Sequence, residues 1–496
     1  MGTIQKQSIR STAIIILGFA IGAFNLLVLS PKILSPDVLG LTRVITDAGL
    51  TLATLATLGT LPVIYKFFPF FKSYLKPERN DLPFISAVIC LVGFIGVCVG
   101  GWLADDFIVR KFSERSPLFV EYSQYVYPFC FLMLIFMWLE SFGWSFRKSI
   151  TTNTLRELIP RIFFTVLLIL FSYHFLDTNS FVFLFSISYL LPVIILFIVL
   201  RKTGEFQFNS QISPVTYRLR GKLTSFGIFV FGAQFLNLLC RTIDTFLLAS
   251  LGDRGLTDTA VFTIATYIVT LMEVPQRSMN AVSIPVLAES WKNKDLAGIK
   301  SIYSKSVANL LVIGLVMFSL IFLNIHNIAF YLGDKYSGIT AVVLFMGLGK
   351  LIDLGTGANS QIITTSSFWK IDFFTNVVYS LVALPLNYFL ISHFGLMGAA
   401  YSTLISLTFY NLLRFGFLYF KFGMQPYNRK NLIAVLVGVI ATSLVYFIPR
   451  VENFYIDTAM RTALFIGLFV PGIYFLKVSN EINQEIDKYL RKLRVK

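Results

Sequence analysis

The chain has 496 residues, of which 56% are hydrophobic and 14% are charged. A water-soluble globular domain carries about 25% charged residues, so this composition excludes one and indicates a protein whose solvent is the lipid bilayer. The formal net charge of +16 does not require a nucleic-acid partner, because the excess of Lys and Arg falls in short segments between apolar runs, where it can face an anionic membrane surface.

Apolar runs recur along nearly the whole chain. Each is about 17 residues or longer, which suffices to cross a hydrocarbon layer of roughly 30 Å at about 1.5 Å per residue. A spanning helix bonds its own backbone polar groups internally, so we predict a transmembrane α-helix for each run. The fourteen predicted spans are, in chain order, Ala13–Leu34, Leu41–Phe68, Leu82–Leu103, Phe119–Phe142, Leu158–Phe175, Phe181–Leu200, Phe226–Ala249, Ala260–Val286, Val307–Ile325, Thr340–Ile363, Phe373–Ile391, Leu396–Phe420, Leu432–Ile448 and Ala459–Phe475.

The distribution of Lys and Arg predicts the orientation, because short basic loops stay on the cytoplasmic side. With a cytoplasmic N-terminus, and with cations near the ends of spans counted with the flanking segments, 30 of the 42 Lys and Arg residues fall in cytoplasmic segments and 9 in outer segments. The remaining three, Arg241, Lys350 and Arg414, lie within spans. This bias predicts that both termini are cytoplasmic and that the number of spans is even.

A short internal match indicates a duplication. The sequence Phe-Phe-Thr opens the fifth span region at 163–165 and the eleventh at 373–375, with six spans separating the two points. Repeats with an even number of spans are parallel to each other, so we predict an all-α polytopic membrane protein with two parallel six-helix repeats and two further C-terminal helices. The predicted segments are an N-terminal lobe at 1–201, a cytoplasmic linker at 202–225, a C-terminal lobe at 226–421, two extra spans at 429–477 and a cytoplasmic tail at 478–496, made amphipathic by Ile482, Ile486, Leu490 and Leu493.

A stripe of polar residues marks the seventh predicted span. It consists of Gln234, Asn237, Arg241 and Asp244. Their spacing of three, four and three residues places them on one face of a helix. A charged side chain at membrane depth costs about 2.5 kcal/mol or more, so it faces a cavity or a partner. The stripe therefore either lines a hydrated path or is structural, with Arg241 and Asp244 neutralising each other.

Two further pairs of opposite charge lie within spans. Arg43 and Asp47 are four residues apart in the second span. Lys350 and Asp353 are three residues apart in the tenth. At this spacing each pair either neutralises itself or offers its charges to a ligand.

Three charges are predicted to lack such a nearby partner. Lys32 ends the first span, Glu273 comes just before Pro275 in the eighth, and Arg414 lies in the twelfth. The alternative for Arg414 is that its long side chain reaches the membrane surface.

Cations and carboxylates predict different roles within the membrane. Arg and Lys bind phosphate groups through charge-assisted hydrogen bonds, so the cations indicate an anionic substrate. The carboxylates Asp244, Glu273 and Asp353 are candidates for coupling transport to an ion gradient through protonation or ion binding.

No catalytic or metal-binding pattern is recognised. The three histidines, His174, His326 and His393, lie near span ends without metal-ligand spacing, and the chain has no P-loop. The pair Asp105-Asp106 lies in an outer loop too short to hold an acceptor-sugar site. We therefore predict that the protein is not an enzyme and needs no cofactor or metal.

Three segments carry a resemblance to a known family. They are Leu-Ser-Pro-Asp-Val-Leu-Gly at 34–40, the stretch from Pro275 through Pro285-Val-Leu-Ala, and His-Phe-Gly-Leu-Met-Gly-Ala-Ala at 393–400. With the length and the predicted arrangement of spans, the chain resembles the polysaccharide transporter branch of the multidrug/oligosaccharidyl-lipid/polysaccharide flippase superfamily, the O-antigen and capsule repeat-unit flippases. The resemblance implies two lobes of six helices around a central cavity lined mainly by spans one, two, seven and eight.

The resemblance also implies a function. Relatives carry an undecaprenyl-pyrophosphate-linked sugar across the bacterial inner (cytoplasmic) membrane without catalysis. The substrate expected here is therefore a polyprenyl-pyrophosphate-linked oligosaccharide, such as an O-antigen, capsule or exopolysaccharide repeat unit, and the expected partners are membrane lipids and polysaccharide polymerase machinery. The cations are expected to hold the pyrophosphate and the amides to meet the sugar. The expected binding residues are Arg241, Gln234, Asn237, Lys32, Arg43, Lys350 and Arg414.

Two alternatives stay open from the sequence. A drug or cation antiporter of the same fold would work through Glu273 and Asp353, with the cations incidental. A membrane glycosyltransferase or polymerase would need a large outer loop, and the predicted outer loops are short.

Overall fold

The computed structural model describes residues 3–478, 483–484 and 487, and this part of the chain is helical without any strand. Within these residues ten helices are long and apolar enough to cross a membrane, or up to twelve if each of two bent helix pairs forms one span. The prediction of an all-helical polytopic membrane protein is confirmed. The count of fourteen spans and the cytoplasmic termini stay predictions. The tail residues Ile482, Ile486, Leu490 and Leu493 lie outside the described residues.

The chain divides into two compact units, Met1–Ala260 and Val261–Lys496. The helices that begin in the first unit are α1 (Thr3–Phe24), a π-helical turn (Asn25–Leu29), α2 (Ser30–Ile33), α3 (Pro36–Ala56), α4 (Thr60–Tyr74), a 3₁₀ turn (Pro77–Arg79), α5 (Leu82–Leu103), α6 (Asp105–Phe112), α7 (Pro117–Tyr122), a 3₁₀ turn (Ser123–Tyr125), α8 (Val126–Ser145), α9 (Ser149–Glu157), α10 (Ile159–Ser172), α11 (Thr178–Ser186), α12 (Leu190–Arg201), α13 (Pro214–Leu251) and α14 (Leu256–Thr270), which crosses the boundary. The helices of the second unit are α15 (Glu273–Lys292), α16 (Leu296–Leu332), a 3₁₀ turn (Asp334–Tyr336), α17 (Ile339–Gly355), α18 (Asn359–Thr365), α19 (Trp369–Phe422), α20 (Arg429–Tyr446) and α21 (Phe454–Phe475). The predicted lobes are internal repeats, which this division does not test, so their boundaries stay predictions.

The core of the first unit is rich in aromatic side chains. The ring of Phe142 on α8 contacts those of Phe68, Trp138 and Phe206, with centroids 6.0, 5.6 and 5.2 Å apart. Phe142 and Phe206 are almost completely buried. Aromatic pairs at these distances add stabilisation beyond the area they bury, and they fix the ends of α4 and α8 to the segment after α12.

The second predicted span is broken in its middle. The sequence predicts one helix over Leu41–Phe68, but α3 ends and α4 begins on either side of Leu58 and Gly59, whose φ angles are 45° and 82°. Glycine adopts a positive φ without strain, and the hydroxyl of Thr60 donates to the carbonyl of Thr57 at 2.8 Å. Hydropathy predicted a continuous helix because the residues at the break are as apolar as their neighbours.

Helix α13, which carries the polar stripe, is longer than the sequence predicts. It begins at Pro214 rather than Phe226, so half of the predicted linker 202–225 is helical. The hydroxyl of Ser213 caps its start by accepting from the amide of Thr216 at 3.2 Å. At about 1.5 Å per residue, its 38 residues extend about 57 Å, beyond the thickness of a bilayer. Hydropathy marks only the apolar part of such a helix.

Helix α19 contains a reversal of the chain. Gly395 has φ 51° and ψ −130°, a conformation foreign to a helix. The rings of Tyr379 and Tyr410 lie 4.8 Å apart, whereas 31 residues of straight helix would separate them by about 46 Å. The hydroxyl of Tyr410 also donates to the amide oxygen of Asn376 at 2.6 Å. Two antiparallel segments therefore meet at Gly395, as the predicted eleventh and twelfth spans require.

Candidate functional site

A polar contact joins α3 and α13 inside the first unit. The carboxylate of Asp47 on α3 is 4% exposed. It accepts from the guanidinium of Arg43 at 2.8 Å and from the hydroxyl of Thr245 on α13 at 2.6 Å. One turn further along, the hydroxyls of Thr51 and Thr242 lie 3.2 Å apart. The short hydroxyl side chains allow the two helices to pack closely, and their hydrogen bonds satisfy the buried polar groups between them.

Asp244 lies beside this contact and is only partly satisfied. The residue is 9% exposed, and its Oδ1 is buried without a hydrogen-bond partner among the described residues. Asp244 directly precedes Thr245, which donates to Asp47. No ion pair joins Asp244 to Arg241 in the part of the chain that the structure describes, so the structural alternative for the stripe, mutual neutralisation of these two residues, is wrong. The reason is that Arg241 is exposed while Asp244 turns into the α3 contact.

The other predicted binding residues of the first unit are at least partly exposed. Gln234, Arg241 and Lys32 are exposed, and Asn237 is half-buried. The side chain of Arg43 is 33% exposed although it contacts Asp47. Polar and cationic groups on α13 and near the ends of α2 and α3 are therefore accessible to a ligand.

In the second unit Lys350 is enclosed by carboxylates. Its Nζ lies 2.7 Å from Asp353 on the same helix and 3.1 Å from Glu273 on α15. The Lys350 side chain is 10% exposed. The other oxygen of Glu273 accepts from Arg277 at 3.0 Å. The prediction that Glu273 lacks a nearby partner is wrong, because Arg277 follows one helical turn later and Lys350 approaches from α17.

Amide side chains complete the bonding of Asp353. Its Oδ1 accepts from Asn411 on α19 at 3.0 Å, and its Oδ2 accepts from Gln276 on α15 at 3.4 Å. The oxygen of Asn411 accepts in turn from the hydroxyl of Thr356 at 2.7 Å. Three helices are thus held together by a network in which the carboxylate of Asp353 has all its partners within the protein.

Arg414 is also bound within the second unit. Its guanidinium lies 2.6 Å from the carboxylate of Asp372 and stacks on the ring of Tyr410, whose hydroxyl it also contacts, with 3.8 Å to the ring centroid. The residue is 6% exposed. The prediction that Arg414 lacks a partner is wrong, and its alternative route to the membrane surface does not occur, because the chain reversal at Gly395 brings Asp372 alongside it.

Further ion pairs with a buried carboxylate escaped the sequence analysis. Glu140 on α8, 2% exposed, pairs with Arg156 on α9 at 2.8 Å. Asp457 and Arg461 on α21 pair at 2.8 Å, with side chains 0% and 1% exposed. Glu140 carried a usable signal, since it is an acid within an apolar predicted span, whereas Arg461 lies at the start of the last predicted span and was counted with the adjacent outer segment. The guanidinium of Arg461 donates to the carbonyl of Val445 at 2.9 Å, which makes it a cap for the end of α20.

Among the described residues, no three His, Cys, Asp or Glu side chains are grouped as they would be to hold a metal ion. Among the predicted site residues that the structure describes, the cations and amides of the first unit are at least partly exposed, and the carboxylate of Asp244 is incompletely bonded.

Comparison with known proteins identifies the family. A sequence model described as polysaccharide biosynthesis protein matches residues 6–291, which is more than half of the chain and includes the α3–α13 contact. The chain belongs to this family. A relative of this polysaccharide biosynthesis protein, an uncharacterized membrane protein of Methanocaldococcus jannaschii, is 24% identical over 359 residues, which cover 69% of this chain and 68% of the relative.

Solved structures show the same fold. The lipid II flippase MurJ in an inward closed conformation superposes with a TM-score of 0.70 at 13% identity, covering 94% of this chain and 98% of MurJ. A multidrug resistance MATE family transporter of the MOP superfamily superposes with a TM-score of 0.59 in its inward-facing form, at 16% identity and covering 82% of this chain and 96% of the transporter. Its outward-facing form gives a TM-score of 0.54 at 14% identity, covering 84% and 95%. The family and the fold confirm the resemblance that the sequence segments carry.

Proposed function

We propose that this polysaccharide biosynthesis protein is a non-catalytic flippase. It moves a polyprenyl-pyrophosphate-linked oligosaccharide across the cytoplasmic membrane, as an O-antigen, capsule or exopolysaccharide repeat unit, by exposing its binding site to the two sides of the membrane in turn. The observation that carries the proposal is Arg241, an exposed cation without an ion-pair partner among the described residues, on an apolar helix. A cation at membrane depth that has no protein counter-charge is suited to an anionic ligand.

The proposed binding residues are the predicted ones of the first unit whose side chains are accessible to a ligand. Arg241 is assigned to the pyrophosphate together with Lys32 and Arg43, because guanidinium and ammonium groups bind phosphate oxygens strongly. Arg43 can take part without leaving Asp47, because its side chain is 33% exposed and its guanidinium has N–H groups besides the Nε–H that contacts Asp47. Gln234 lies two turns and Asn237 one turn before Arg241 on the same face of α13. Their amides both donate and accept hydrogen bonds, as sugar hydroxyls require.

Lys350 and Arg414 are removed from the binding set. Each is buried and paired with a carboxylate. Transferring either cation to a phosphate would leave a buried carboxylate without its counter-charge, which costs several kcal/mol. We assign both residues to holding the second unit together.

By the same argument, Asp244 is the best of the three candidates for the carboxylate that couples transport to an ion gradient. Glu273 and Asp353 both contact Lys350 and are supplied with further donors, so neither is short of positive charge. Asp244 has a buried oxygen without a donor. A drug or cation antiporter that works through Glu273 and Asp353 is correspondingly less favoured.

The proposal keeps fourteen spans with both termini in the cytoplasm. If each of the two bent helix pairs forms one span, the apolar helices of the described residues number twelve. Counting α19 as two crossings, one on each side of Gly395, makes thirteen. Helix α10, with 14 residues, supplies the fourteenth at a tilt close to the membrane normal, since it is short for a span.

The first test is a depletion experiment in the native host. Depleting the protein should cause lipid-linked oligosaccharide to accumulate, and wild type should restore the normal level. Arg241→Ala at equal membrane abundance should fail to do so. Arg218→Ala is the matched control, because it removes an exposed arginine from the polar start of the same helix. Full rescue by Arg241→Ala would overturn the proposed binding site. Drug sensitivity of the depleted cells without accumulation of lipid-linked oligosaccharide would favour the antiporter.

A further inference from the structure

The α3–α13 contact holds more negative than positive charge. Asp47 and Asp244 are 4% and 9% exposed, and Asp244 directly precedes Thr245, whose hydroxyl donates to Asp47 at 2.6 Å. The cation of this contact is Arg43, which is bonded to Asp47 at 2.8 Å. With both carboxylates ionised, this contact would carry one uncompensated negative charge.

Among the described residues of the neighbouring helices, no other charged group is seen to supply the balance. On α13 itself, Arg241 is exposed and makes no ion pair within the described residues. The helices that pack on α13 within the first unit are α3, α4 and α6. From α4, Lys66 lies over the ring of Phe226 at 3.8 Å, about five turns before Asp244. The charged residues of α6 are exposed, namely Asp105, Asp106, Arg110 and Lys111.

The hydrogen-bond pattern shows where a compensating ion would go. Oδ2 of Asp47 already accepts from Arg43 and from Thr245, whereas Oδ1 of Asp244 is buried and has no donor among the described residues. A metal cation needs about six oxygen ligands at short range. A proton needs a single oxygen and removes the cost of burying a charge.

We infer that Asp244 is protonated in this conformation and that the pair Asp47–Asp244 holds one transferable proton, a proposal that rests on the proposed flippase function. When water reaches the contact, the O–H bond of the Asp244 carboxyl breaks, its electron pair stays on the oxygen and the proton goes to water. The new carboxylate then faces that of Asp47 across the interface, and their repulsion weakens the packing of α3 on α13. Return of the proton restores the contact and links the movement of the two helices to a proton gradient.

The test is infrared difference spectroscopy of the full-length protein in lipid nanodiscs, without substrate, between neutral and strongly alkaline pH. Wild type should show the loss of one protonated-carboxyl C=O band that shifts in D₂O. Asp244→Asn should abolish the band. Asp253→Asn, which removes an acid with an 86% exposed side chain, should leave it unchanged. In Asp47→Asn, Arg43 is released to pair with Asp244, so the band should be absent already at neutral pH.

The proposal is overturned if wild type has no such band, or if the band persists unchanged in Asp244→Asn. It is also overturned if radioactive sodium binds stoichiometrically to wild type and not to Asp244→Asn. Because the measurement needs no substrate, it separates the two claims. A band that behaves as described in a protein that moves no lipid-linked sugar would uphold the protonation and refute the flippase function.

Discussion

Lys350 illustrates how a cation is stabilised at membrane depth by its own protein. Its ammonium lies between Asp353 and Glu273, at 2.7 and 3.1 Å, and Asn411 and Gln276 complete the bonding of Asp353. A cation so enclosed gives little to a ligand, because binding one would leave carboxylates buried without compensation. Arg241, which has no such enclosure, is the better anchor for an anion.

Replacing Lys350 by Met should destabilise the protein. The change leaves two carboxylates short of their counter-charge, and breaking a buried ion pair from one side costs about 3–5 kcal/mol. The expected result is a lower midpoint of thermal unfolding in detergent, partly restored by adding Asp353→Asn. Lys335→Met, at an exposed lysine, serves as the control. A Lys350→Met protein that is as stable as wild type but binds no lipid-linked oligosaccharide would make Lys350 a substrate ligand.

Helical spacing accounts for the charge pairs that sequence could predict. Arg43–Asp47 and Lys350–Asp353 lie one turn apart and do form ion pairs. The partner of Arg414 lies 42 residues away, and it becomes a neighbour only after the chain reverses. Periodicity within one helix carries no information on such contacts, which is why the accessible and enclosed cations could not be told apart from the sequence.

At the scale of helices, glycine determines where the chain departs from the hydropathy pattern. Gly59 divides the second predicted span and Gly395 reverses α19. The sequence predicted the second event, because a polar turn separates two apolar runs there. It missed the first, since the break lies within one uninterrupted apolar run, and hydropathy does not register backbone conformation.

Cysteines at Tyr379 and Tyr410 should report the reversal directly. In a chain whose four native cysteines are replaced, a short bifunctional thiol-reactive cross-linker should join Tyr379→Cys to Tyr410→Cys, because the two native rings lie 4.8 Å apart. The pair Tyr379→Cys with Tyr388→Cys is the control, since both positions lie on the same segment about 13 Å apart. Mass spectrometry of the digest would detect the link. Its absence from the first pair would mean one continuous helix.

For the molecule as a whole, composition and hydropathy predicted the fold class, and short segments predicted the family. The match over residues 6–291 and the superposition on MurJ confirm both. The predicted site could not be refined in the same way, because burial depends on which face of each helix meets another. That information buried Asp244 and left Arg241 exposed, and it is the basis on which we propose Asp244 for coupling and Arg241 for binding.

The central claim is that Arg241 binds the pyrophosphate of a translocated lipid-linked oligosaccharide. Reconstitution into proteoliposomes with a labelled polyprenyl-pyrophosphate oligosaccharide tests it most directly, by following the fraction of label that becomes accessible to an impermeant enzyme outside the vesicles. Wild type should move label across, Arg241→Ala should slow this at least tenfold, equivalent to about 1.4 kcal/mol, and Arg218→Ala should match wild type. Equal rates for wild type and Arg241→Ala, or for protein-containing and empty vesicles, would contradict it.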